Sequence, residues 1–99
     1  MMTIVTRVKI EPGKEPAWDA AFRKRVEAAK KQPGWVGVQL AIPADAVNQR
    51  VVIGTWETRA DWEAWHNSEA FQQTRAQLEE PASKRRREWW HEVVLEQHR

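Results

Sequence analysis

Ninety-nine residues, 41% of them hydrophobic, describe one small globular domain over residues 1–99, and a net charge of +2 from 16 basic and 14 acidic side chains is too balanced to demand nucleic acid or a membrane surface as partner. With no cysteine, disulfides and thiolate chemistry are excluded and the cytoplasm is the default setting. No stretch approaches the roughly 18 apolar residues of a membrane span, and the opening MMTIVTRVKI lacks the basic-then-apolar pattern of a secretion signal.

Residues 3–11 alternate, with Ile4, Thr6, Val8 and Ile10 on one face and Val5, Arg7, Lys9 and Glu11 on the other, which predicts a half-buried strand. Pro12-Gly13 breaks it, and Pro16 suits the first turn of a helix, where its missing N–H costs nothing. Trp18, Ala21, Phe22, Val26 and Ala29 then recur at helical spacing until Pro33-Gly34 stops the helix. Residues 35–42 alternate again, placing Val36, Val38, Leu40 and Ile42 opposite Trp35, Gly37, Gln39 and Ala41. A polar hairpin loop over 44–49 leads to a third strand over 50–57.

Thr58 or Asp61 is the predicted cap of the next helix, which bends near Asn67-Ser68, continues from a Ser68 cap through Phe71 and Leu78, and ends at Pro81. Residues 82–99 read as a charged connector followed by a terminal strand over 89–95. The basic run Lys84-Arg85-Arg86-Arg87, interleaved with acidic neighbours and followed by two tryptophans, reads as a solvated connector rather than a nucleic-acid site.

The order β-α-β-β-α-β predicts an α+β, ferredoxin-like antiparallel sheet with helices on one face. The other face, to which this reading assigns Val5, Val52 and Trp56, is too apolar for water, so a second copy pairing through the sheet faces is the expected cover.

Several motifs, in this order, resemble the antibiotic-biosynthesis monooxygenase family: the strand TIVTRVKIEPG, the turn Gln32-Pro33-Gly34-Trp35-Val36-Gly37, the strand end Thr55-Trp56-Glu57, and the helix WEAWHNSEAF over 62–71. The likeness spans residues 3–80. It implies a dimeric α+β barrel built from two ferredoxin-like protomers, and a monooxygenase needing no cofactor that uses O2 on a small aromatic, quinol-like substrate. A non-catalytic small-molecule-binding or structural dimer of the same fold is the alternative. In the haem-degrading branch of the family an asparagine on the first strand, a helical tryptophan and an iron-binding histidine mark the site; the corresponding residues here are Thr6, Trp65 and Arg75. Arginine has no lone pair to offer a metal, so the resemblance argues against haem.

The site residues expected from this resemblance are Trp65 and Arg75, with Thr6 as a hydrogen-bonding neighbour, and Trp62, Phe71 and Phe22 as pocket wall. Trp62 is more readily read as ordinary core, Trp65 about equally as core or as pocket, and Trp56 is assigned to the sheet or dimer face. His66, about 100° round the helix from Trp65, is expected to point away from the pocket. No histidine and carboxylate spacing suggests a metal site, and no glycine-rich loop offers a seat for a nucleotide.

Overall fold

In a computed structural model the chain folds as β1 (Met2–Ile10), α1 (Glu15–Ala29), β2 (Trp35–Ala41), β3 (Gln49–Trp56), α2 (Arg59–His66), α3 (Glu69–Glu79) and β4 (Ala82–Glu92). The structure describes the backbone throughout and every side chain except those of residues 83–87. The readings of Lys84, Arg85, Arg86 and Arg87 therefore fall outside the described side chains.

The four strands form one antiparallel sheet in the order β2-β3-β1-β4. β1 lies inside the sheet, paired with β3 on one side and β4 on the other, and its inward residues Ile4, Val8 and Ile10 are buried. Each large side chain removed from water in this way contributes roughly 2 kcal/mol. The helices cover that face. Pro16 opens α1 within its first two positions, and the Thr58 and Ser68 hydroxyls accept the backbone N–H groups of Asp61 and Phe71 at the starts of α2 and α3. The predicted bend is thus a full interruption between two helices.

The layer between helices and sheet contains two clusters. One is Val8, Ile10, Trp18, Ala21, Phe22 and Leu78. The other is Ile4, Ala29, Trp56, Trp65 and Phe71, with Trp35, Trp62 and Trp90 packed against it. Beside the first, the buried Arg50 makes a two-pronged pair with Asp19 on α1, at 2.9 and 3.0 Å, and donates to the carbonyls of Val47 and Gln49. The hydrogen bonds to the Asp19 carboxylate hold the guanidinium charge more firmly than usual, raising its pKa against the opposing effect of burial.

Three expectations are corrected. Trp56 and Val52 face the helices, not the open side, because Met2 pairs with Trp56 and Thr6 with Val52 in register with the inward face of β1. Both faces of β3 are apolar, so alternation alone does not identify the covered one. In β2 a bulge between Trp35 and Gly37 inserts an extra residue, so that Trp35 and Val38, expected on opposite faces, both turn toward the helices. The last strand begins at Ala82, not residue 89, and ends at Glu92; Val94 and Leu95 are exposed beyond it. A charged sequence forms strand there because β1 supplies a complete edge to pair with.

The uncovered face retains an apolar patch. Val5 stands between Ile53 and Trp89 in the register, Val51 is on the same side, and the Thr3 and Thr55 hydroxyls meet at 2.9 Å. Trp89 is 43% exposed. Among the described residues no helix is long and apolar enough to cross a membrane.

Candidate functional site

A cavity of about 430 Å³ lies between the sheet and the three helices, joining the two clusters. Ile4, Thr6, Val8, Val52 and Gly54 form its floor, while Phe22, Val26, Trp65, Phe71 and Leu78 form its wall. The volume is that of a site for a small organic molecule. Gly54 matters here because it gives the floor no side chain at the level of Ile4, its partner in the register.

The aromatic wall is held by one stacked and one edge-on contact of Trp65. Trp65 stacks on Trp56 at 6.3 Å between ring centres and meets Phe71 edge-on at 5.5 Å and 87°. Such arrangements match the ring quadrupoles and fix side chains whose shapes do not interlock. Farther out, Trp62 stands edge-on to Trp90 at 4.5 Å, and Arg59 caps the Trp90 ring at 4.7 Å. At the opposite end Trp18 stacks on Phe22 at 5.1 Å.

All six residues expected at the site line this cavity: Thr6, Phe22, Trp62, Trp65, Phe71 and Arg75. Their depths differ. Trp65, Phe22 and Phe71 are buried, Thr6 and Trp62 partly so, and the Arg75 side chain is 55% exposed at the rim, where it pairs with Glu79 at 2.8 Å. Arg75 thus stands at the mouth with a carboxylate already beside it.

His66 overturns an expectation. It lines the same cavity as Trp65, with its ring 4.4 Å from Trp62 and 4.0 Å from Phe71. A rotation of 100° from Trp65 is compatible with this because the cavity wraps around the end of α2, and Trp62 and His66 are neighbours one turn apart. His66 is the one imidazole among the described cavity residues.

Three further charged residues that line the cavity, Arg25, Glu79 and Glu88, were missed in the sequence. Arg25 reaches from α1 across the Phe71 ring at 4.0 Å and donates to the Thr74 hydroxyl at 3.0 Å. Its spacing from Phe22 and Ala29 already placed it on the inward stripe. Glu88 lies on β4 directly opposite Thr6 and also lines the cavity. Reading residues 82–88 as connector concealed it; strand alternation carried back from Trp90 would have placed it inward. Among the described residues no group of three or more His, Cys, Asp or Glu is arranged to hold a metal ion.

Residues 1–77 match the family described as antibiotic biosynthesis monooxygenase. The chain is 27% identical over 67 residues to the mycobilin-producing haem oxygenase of Mycobacterium tuberculosis, a match covering 68% of this chain and 64% of that protein. The matched segment is thus less than two thirds of that relative's length. The fold of this chain is similar to that of SnoaB, a cofactor-independent oxygenase from Streptomyces nogalater, with a TM-score of 0.86 and 18% identity over 96% of this chain and 94% of SnoaB. A conserved protein from Methanosarcina mazei is similar as well, with a TM-score of 0.85 and 13% identity over 91% and 89% of the two chains.

Proposed function

Since this chain belongs to the antibiotic biosynthesis monooxygenase family, we propose that it is a cofactor-independent monooxygenase acting on a small aromatic, quinol-type substrate held beside Trp65. The observation that carries this reading is the cavity itself: a largely apolar, aromatic-walled space whose polar groups are the Thr6–Glu88 strip of the floor, Arg25 and His66 beside Phe71, and the Arg75–Glu79 pair at the rim. A substrate that readily forms a carbanion or phenolate reduces O2 without a metal, and the protein then supplies shape, stabilisation of the anion and exclusion of water. For a doubly benzylic methylene, the anion and O2 form a peroxide. Loss of water converts it to a ketone: one oxygen atom remains in the carbonyl, and the other leaves with both methylene hydrogens. The Thr6 hydroxyl donates to the developing anion, Arg75 contributes fixed positive charge at the mouth, and Trp65, Trp62, Phe71 and Phe22 hold the ring system.

The proposal includes a cytoplasmic homodimer. A second copy seated on Val5, Val51, Ile53 and Trp89 would cover the apolar outer face of the sheet. Sedimentation at micromolar concentration tests this, and a stable monomer would contradict it.

The activity is tested by O2 consumption with a panel of hydroquinones and anthrones. Trp65→Phe and Arg75→Ala are expected to lower turnover. Arg75→Ala should leave stability within about 0.5 kcal/mol, because its ion pair is exposed. Unchanged turnover in both variants would remove the proposed site, and no O2 uptake with any compound would favour a non-catalytic binding dimer.

His66 supports a second reading, that of a haem protein. Arg75, at the position the resemblance gives to the iron-binding histidine, is unsuited to ligate iron, whereas the His66 imidazole lies in the cavity wall. Haem, if bound, would supply oxygen activation at iron, and His66 is the residue that would hold it. Haem titration decides: a stoichiometric Soret shift lost in His66→Ala supports this reading, and an unshifted band removes it.

A further inference from the structure

We propose that Glu88 is the proton acceptor of this cavity and that the substrate is therefore a phenol or enol, whose hydroxyl hydrogen passes to the Glu88 carboxylate while its oxygen rests against Thr6. This inference rests on the oxygenase reading above.

Thr6 and Glu88 are directly paired between β1 and β4, and both line the cavity. Side chains paired in this way stand about 5 Å apart at Cβ, so a single ligand oxygen fits between the Thr6 hydroxyl and the carboxylate. Among the described residues the surrounding floor is apolar: Ile4 lies before Thr6 on the same face, Val8 beyond it, and Val52 pairs with it from the other side.

Other polar groups of the cavity are already committed. Arg75 is engaged with Glu79, Arg25 with Thr74 and the face of Phe71, and the His66 ring packs against Trp62 and Phe71. Among the described residues, by contrast, neither the Thr6 hydroxyl nor the Glu88 carboxylate has a hydrogen-bonding or ionic partner. An ionised carboxylate only accepts hydrogen bonds, and one set in an apolar wall is poorly compensated without a donor. A ligand hydroxyl is such a donor.

The transfer balances simply. The substrate O–H bond breaks, its proton forms an O–H bond with Glu88, and the electron pair remains on the substrate oxygen as phenolate or enolate, delocalised into the ring. The Thr6 hydroxyl then donates to that oxygen. In the anion the electrons needed to reduce O2 are available, whereas in the neutral molecule they are held by the O–H bond. Glu88 thus controls entry to the oxidation.

Anaerobic titration with dithranol, a hydroxyanthrone whose anion absorbs at longer wavelength than its neutral form, separates ionisation from oxidation. Wild-type protein is expected to bind the probe, seen as quenched tryptophan emission, and to shift it to the anion. Glu88→Gln should bind it with affinity within a few-fold but leave it neutral, and on admission of O2 should turn over roughly 100-fold more slowly. Should Glu88→Gln fail to bind, Glu88→Asp decides: a bound anion with slowed turnover supports the proposal, and a bound neutral probe overturns it. If Glu88→Gln ionises the probe as well as wild type, the acceptor lies elsewhere while the oxygenase reading survives. Wild-type protein that neither ionises the probe nor consumes O2 with it removes both.

Discussion

At one end of the layer between helices and sheet, Ile10 is fully enclosed and Arg50 ties β3 to α1 through Asp19; at the other, Trp65 stacks on Trp56 and meets Phe71 edge to face beside open space. Aliphatic chains and one satisfied ion pair can fill a volume completely, whereas large flat rings meeting at steep angles leave gaps that small molecules fit. The difference suggests a division of labour: the closed end maintains the fold, and the aromatic end holds a ligand.

That division breaks or sharpens under substitution. Ile10→Ala, which opens a cavity in the closed end, is expected to lower stability by about 4 kcal/mol, read from the urea midpoint. The fraction that remains folded should bind dithranol as wild type does, and loss of binding there would mean that the two ends are not separable. Arg50→Met should destabilise by about 3 kcal/mol, at the low end for a buried pair because Asp19 retains contact with water. An unchanged midpoint would show that the pair contributes specificity rather than stability. Trp65→Phe is expected to reduce turnover about tenfold, equivalent to roughly 1.4 kcal/mol of barrier, with a smaller loss of stability; the opposite balance would make Trp65 a structural ring. Ser68→Ala removes the cap that accepts the Phe71 N–H at 3.2 Å and should cost about 1 kcal/mol, measurable by thermal unfolding.

Reading the sequence succeeds where a single period governs a segment. β1 alternates without interruption, α1 keeps its stripe from Trp18 to Ala29, and Ser68 announces the restart at α3; the family motifs bring Thr6, Trp65 and Arg75 to one cavity. It fails where the deciding information lies in a partner strand. Which face of β3 is covered depends on its register with β1, and the bulge in β2 is invisible in a run that alternates perfectly as written. Glu88 was hidden because strand propensity is a weak guide in a charged segment next to a strong central strand. His66 was misplaced because a position on the helical cylinder gives an angle, not the breadth of the surface the helix faces.

Gly34 precedes β2 at a φ of +82°, and a Cβ added there would run into the Asp61 side chain, while its carbonyl accepts the Glu57 N–H at 2.7 Å. The turn is therefore packed on the start of α2, and Gly34→Ala should cost about 1–2 kcal/mol from backbone strain alone, with the Thr58–Asp61 cap disturbed as well.

The interruption between α2 and α3 has a consequence for how this fold diversifies. Trp65 belongs to one helix and Phe71 to the next, so their 87° meeting is set by the two residues that separate the helices, Asn67 and Ser68, and by no hydrogen bond of the sheet. Inserting or deleting one residue there would turn Phe71 by about 100° relative to Trp65 and reshape the chamber while every strand kept its register. Descendants of such a chain can explore new ligand outlines by changing the length of one short link.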